Sequence, residues 1–238
     1  MIWVIKVNAF PCSVNCWFAT LSPRLFEMSV MPEKQPDVLD QAFVKAAHAA
    51  LTGSAPKTPT QSLIESLLQR EKVAQSQSNL KFEQFIGAWR LCFVTGTKKP
   101  HQHQNKTVGN GFYIPRWVKM QIVYSPGNST DYGPKTSDTV GQIANQVHWA
   151  GLSLSLTGPA RCWSKKNIMA FDFTRMEFKA FGRTLYQGFI RGGQESEQTF
   201  WDGHVRTQAF FVYFLIQDQV LAARGRGGGI ALWAKTET

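Results

Sequence analysis

The segment Phe85-Ile86-Gly87-Ala88-Trp89-Arg90-Leu91-Cys92-Phe93-Val94-Thr95 marks where a helical period gives way to alternation. Residues 87–95 read as a strand with large apolar side chains at every second position. Gly87 lets the chain turn sharply into that strand. Trp89 then has the size to plug one end of a closed sheet. A cation from the last strands would stack on its face, a contact worth about 0.5–2 kcal/mol. Arg224 and Arg226 are the expected donors of that cation.

Toward the N-terminus, Asp37 to Leu51 carries Leu39, Phe43 and Ala46–Ala47 at helical spacing. TGSAPK, residues 52–57, breaks it with glycine and proline. A second helix follows, with Thr58 as N-cap, Pro59 at the first helical position and Gln61 completing a capping box. Its apolar stripe is Leu63, Ile64, Leu67 and Leu68, fading into the polar stretch 75–79. Residues 1–36 are set apart as a disordered extension, either from a mis-called start ahead of Met28 or Met31 or as a plastid address. Residues 37–79 are expected to pack as a helical segment on a body formed by 80–238.

Toward the C-terminus, further strands are expected at 117–124, 142–148, 152–157, 167–174, 176–181, 183–190, 207–217, 219–224 and 230–235. Leu152, Leu154 and Leu156 alternate with Ser153, Ser155 and Thr157 as in a half-buried strand. Met169, Phe171 and Phe173 share one face, and the parity shifts after them, which places a bulge near Arg175. Turn chemistry lies between the strands, including Gly225–Gly229 before the last one. Counting 167–181 as one strand bulged near Arg175, about eight or nine strands with short links and no intervening helices predict an antiparallel barrel, mainly β with N-terminal helices. Closure removes exposed edges, and about eight strands leave room for one small ligand.

The binding candidates are the stripes that face inward with Trp89. They are Leu91 and Phe93, Met120 and Ile122, Leu154 and Leu156, and Phe171 and Phe173. On the following strand either Phe211 and Tyr213 or their neighbours Phe210, Val212 and Phe214 face in. The alternative is that all of them fill a dry core. Asp172 faces away from Phe171 and Phe173 and is expected to be exposed or paired with an arginine.

The formal net charge is +10. Residues 1–95 contribute +2 (nine basic, seven acidic) and residues 96–238 contribute +8 (seventeen basic, nine acidic). A nucleic acid, an anionic membrane or an acidic protein would each answer that charge. Arg191-Gly192-Gly193 and Arg226-Gly227-Gly228 are too isolated for an RNA-binding tract. Gly225–Gly229 lacks both the spacing of a phosphate loop and the helix that should follow it. Neither Gly-x-Ser-x-Gly nor His-Glu-x-x-His occurs. His101 and His103 lack an evident third ligand, so no metal is expected. Cys12, Cys16, Cys92 and Cys162 are too scattered for a disulfide scaffold, which suits a reducing setting.

Around these residues the chain resembles the plastid lipid-associated proteins, or fibrillins, over roughly 60–238. The helix with Leu63–Leu68 and the Phe85–Leu91 segment are similar to the family's opening, Gly-x-Trp-Arg-Leu. Ala223-Arg224-Gly225-Arg226-Gly227-Gly228-Gly229-Ile230-Ala231-Leu232-Trp233 resembles its closing turn and strand, with Arg226 where the family often has an acid. Residues 168–176 and 188–193 are similar to segments of a fibrillin-like subgroup. The resemblance implies a lipocalin-like barrel that binds a lipid, prenylquinone or carotenoid beside a thylakoid membrane or lipid droplet, in a cytoplasmic or stromal setting. It implies no catalytic residues. The runner-up is a bilin lyase or pigment chaperone on the same fold, which would need Arg175, Arg191 or His148 to converge on a cavity.

Overall fold

Alternating apolar residues carry most of the chain into one antiparallel sheet. The structure is a computed structural model, and it describes residues 36–74, 80–96, 108–127 and 140–236. The expected extension over 1–36 therefore lies outside the described residues except for Pro36, as do Cys12, Cys16, the polar stretch 75–79, His101 and His103. Helices α1 (Pro36–Thr52) and α2 (Thr60–Ala74) come first. A 3-10 turn, Phe82–Phe85, leads into β1 (Gly87–Thr95). Then follow β2 (Gly111–Tyr113), β3 (Lys119–Pro126), β4 (Val140–Trp149), β5 (Leu152–Trp163), β6 (Ile168–Phe171), β7 (Arg175–Ala180) and β8 (Arg183–Phe189). Helix α3 (Gly193–Phe200) precedes β9 (Ala209–Ile216), β10 (Val220–Gly225) and β11 (Ile230–Thr236).

Eight strands close a barrel in the order β4-β3-β1-β11-β10-β9-β6-β5, with β5 returning to β4. The expected lipocalin-like barrel with N-terminal helices is the architecture found. Strand β5 serves two partners along one edge. Its second half, from Ala160, pairs with β6, and its first half pairs with β7. The switch is made at Asp172–Thr174, close to the bulge expected near Arg175. There the Asp172 and Thr174 amides donate to the carbonyls of Pro159 and Thr157. The β7–β8 hairpin thus leaves the barrel and extends the sheet formed by β3, β4 and β5. Helix α3 and the short β2 are additions to the expected pattern. No helix was expected between strands, but α3 is one: Thr174 and Arg175 both bond its Glu197.

Two apolar clusters form on opposite sides of the sheet. Inside the barrel lie Trp89, Ile122, Tyr124, Ile143, Phe171, Tyr213 and Trp233 with their neighbours. Outside, α1 and α2 lay Phe43, Ala46, Ala47, Leu63, Ile64 and Leu67 on Phe93, Phe214, Leu232 and Ala234. The helices are amphipathic, so they need this face as much as the face needs them. Polar ties fix their placement. Asp40 on α1 accepts from Arg70 on α2 and from Gln217 after β9, and Glu71 is held bidentately by Arg224 of β10. The expected capping box at Thr58 does not form. The Gln61 amide donates forward to Glu65, and the Thr58 carbonyl accepts from Tyr113.

Candidate functional site

The barrel is plugged where β1 begins, and its lining is only half-buried toward the end of β1. The 3-10 turn places Phe82 and Phe85 in the closed end. Phe85 packs against Tyr124 and Tyr213, with ring centroids 5.5 and 4.6 Å apart. The two tyrosine hydroxyls hydrogen-bond to each other at 2.7 Å. Burial pushes both phenols above their usual range. Gly141 is required here, because a Cβ would stand 2.1 Å from the Phe82 ring.

Trp89 sits in this plug, fully buried, and its indole donates to the Phe85 carbonyl at 2.6 Å. Gly87 makes the entry with φ +123°, a conformation that disfavours any Cβ. The cation over Trp89 is not the expected one. Lys235 covers the ring, with Nζ 5.3 Å from the centroid. Register explains the correction: Trp89 pairs directly with Lys235 across β1 and β11, so both side chains share a face. Arg224 alternates with the inward Leu221 and Ala223 and points outward to Glu71. Arg226 lies in the β10–β11 turn and donates to the carbonyls of Thr207 and Gln208.

The inward stripes are mostly as expected, with one reversal. Leu91 packs against the interior, but Phe93 does not. A bulge at Cys92 shifts the register between Leu91 and Phe93, which turns Phe93 outward beneath the helices and returns Val94 to the interior. Ile122 and Phe171 are buried inside, and Phe173 packs against them. Of the two sets on β9, Phe211 and Tyr213 face in; Phe214, at a second bulge, joins the helical side.

At this half-buried end, the lining continues onto the extended sheet in rows. Met120, Val147, Leu154, Phe178 and Tyr186 lie side by side across β3, β4, β5, β7 and β8. The next row is Ile122, Asn145, Leu156, Met176 and Gly188. Met120, Val147, Leu154, Leu156, Met176 and Phe178 are only half-buried. The opposite face is polar, with Gln121, Gln146, Ser155, Glu177 and Gln187 in one row. The result is a half-buried apolar face, the mouth of the barrel, continuous with its buried lining. Met176 and Phe178 were missed as lining residues. Their alternation is legible, but only the pairing of β7 with Leu154 and Leu156 shows which face they join.

Polar candidates do not converge on this mouth. Arg175 and His148 lie on the polar face of the same sheet, by register with Thr157 and Ser153. Arg175 is bound to Glu197 at 2.9 Å. Burial would raise the Glu197 carboxyl, but its hydrogen bonds with Arg175 and Thr174 hold it below the usual range. Arg191 is exposed, with its carbonyl bonded by Ser196. Asp172 is half-buried and, rather than pairing with an arginine, accepts from the Phe173 amide. Among the described residues, no group of His, Cys, Asp and Glu is placed to hold a metal ion. A hollow of about 400 Å³ at Val44 and Gln217–Gln219 lies outside the barrel, beside the β9–β10 turn.

The chain was compared with known proteins, and it matches no family model and no curated sequence.

Proposed function

We propose that this protein binds a lipophilic molecule in the mouth of its barrel and carries or stores it beside a membrane, without catalysing a reaction. The observation that supports this is the half-buried apolar face of Met120, Val147, Leu154, Leu156, Met176 and Phe178, continuous with the barrel lining. Apolar surface of this kind is stabilised by a ligand that covers it. Covering roughly 300 Å² contributes on the order of 7 kcal/mol before the cost of association. A prenylquinone, carotenoid or acyl lipid has the required length and needs no strong polar anchor. The same property gives weak selectivity among similar chains. The resemblance to fibrillins in the segments around Trp89 and Trp233 agrees with this reading.

Mass spectrometry of an organic extract from natively purified protein tests it. A stoichiometric prenyl, polyene or acyl lipid is expected. An extract without a lipophile, together with no uptake of a fluorescent polyene by the purified chain, would refute the proposal.

A further inference from the structure

The rim of the mouth carries the most exposed aromatic side chains of the sheet. Trp117 precedes β3 and is 67% exposed; Trp149 ends β4 and is 51% exposed. Their rings lie 6.3 Å apart. Phe181, 82% exposed, occupies the β7–β8 turn. That turn is hydrogen-bonded to the β4–β5 turn, through the Phe181 amide and the Gly151 carbonyl at 2.7 Å. The two hairpin tips are thus one ledge. Leu185, 63% exposed, follows on β8.

Phe181 is held at φ +48°, next to Gly182 at +78°. A bulky residue is costly in that conformation, where glycine or asparagine is usual. The turn therefore presents a phenyl ring to solvent at a position where its backbone favours a small residue. Folding gains little from a ring with that exposure.

The charge around the ledge has one sign. Glu177 is the one acidic residue on β3, β4, β5, β7 and β8, and it is paired with Lys179 at 2.7 Å. Lys119 and Arg183, at the starts of β3 and β8, have no ion pair among the described residues. Exposed Trp and Phe beside cations match the boundary of an anionic bilayer, where aromatic rings sit among headgroups and basic side chains meet phosphates.

We propose that the paired hairpin tips, with Trp117, Trp149 and Phe181 at their apex, dock onto an anionic lipid bilayer and hold the mouth against it. Trp149 and Leu152 stand on the same sheet face as Leu154 and Leu156, so a lipophile leaving the bilayer at the ledge meets the lining directly. This rests on the reading above for its purpose, but docking is measured separately.

Flotation of the full chain with vesicles tests it. Phosphatidylcholine–phosphatidylglycerol vesicles are expected to carry the protein, pure phosphatidylcholine vesicles much less, and added salt is expected to weaken binding. Phe181→Gly suits the turn's positive φ and keeps the fold. Combined with Trp149→Ala it should lower vesicle partitioning at least about tenfold, and Arg183→Glu should lower it on anionic vesicles alone. Polyene uptake from solution should be unchanged in Phe181→Gly, which separates docking from ligand binding. Wild-type protein that stays unbound, variants that float like the wild type, or a dimer abolished by the same substitutions would each overturn the proposal.

Discussion

Lys235 lies over the ring of Trp89 from the adjacent strand, its Nζ 5.3 Å from the centroid, where β11 pairs with β1. The plug of the barrel is therefore sealed by a lysine of the last strand, not by Arg224 of β10 or Arg226 of the turn that follows it. Lysine has a long apolar stem, so it covers the indole while its ammonium reaches water.

This pairing separates two energies. Trp89→Ala should destabilise the barrel by about 3–5 kcal/mol, since a buried indole and its hydrogen bond are both lost. Lys235→Ala should cost under about 1 kcal/mol, because the lysine is exposed. Arg224→Ala should leave the tryptophan environment unchanged. Urea unfolding followed by near-ultraviolet circular dichroism checks all three.

The bulge at Cys92 divides stability from binding along one strand. Phe93→Ala should lower stability by about 3–5 kcal/mol and leave polyene affinity unchanged, because Phe93 serves the helix interface. Leu156→Arg, in the half-buried mouth, should do the reverse and weaken polyene binding at least about tenfold. Fluorescence titration beside thermal melting distinguishes the two. Equal loss of binding in both variants would contradict the assignment of faces.

The fork between Arg224 and Glu71 ties α2 to β10. Both side chains are about one-fifth exposed, which moderates the interaction. A double-mutant cycle with Arg224→Met and Glu71→Gln should give a coupling of about 1–2 kcal/mol. Proteolysis of Glu71→Gln should begin near α2 before the barrel is cut.

Alkaline pH should unfold the protein. Burial pushes the Cys92 thiol from 9.0 up to about 12 and the Cys162 thiol up to about 11. Tyr124 and Tyr213 are raised by burial as well. The unfolded chain then releases protons at lower pH than the folded one. The stability these groups contribute is complete below about pH 9 and is lost as pH rises toward the folded values. Thermal melts across that range should show a steady fall. At neutral pH, iodoacetamide should leave both thiols unmodified in the folded protein.

Much of the architecture is legible in side-chain order. The Leu63–Leu68 stripe, the alternation of Leu152–Thr157 and the Gly225–Gly229 turn each depend on contacts within a few residues, and each lies where the pattern predicts an element. The barrel follows from many short strands with short links. Other features depend on partners far away in the chain. A bulge has no firm signature of its own, so the reversal of Phe93 is invisible until β11 supplies Leu232 opposite it. Gln61 carries the right residue type for a capping box, yet Glu65 one turn on competes for it.

The amino-acid order by itself determined the helix pair, the run of alternating strands, the glycine at the entry to β1 and the excess of positive charge. Those follow from local backbone sterics and from the period of apolar residues. Tertiary structure decided which cation covers Trp89, which β9 residues face inward and where the lining leaves the barrel for an open sheet. Each of these is a question of register between distant strands, and a shift of one residue moves a side chain to the other face.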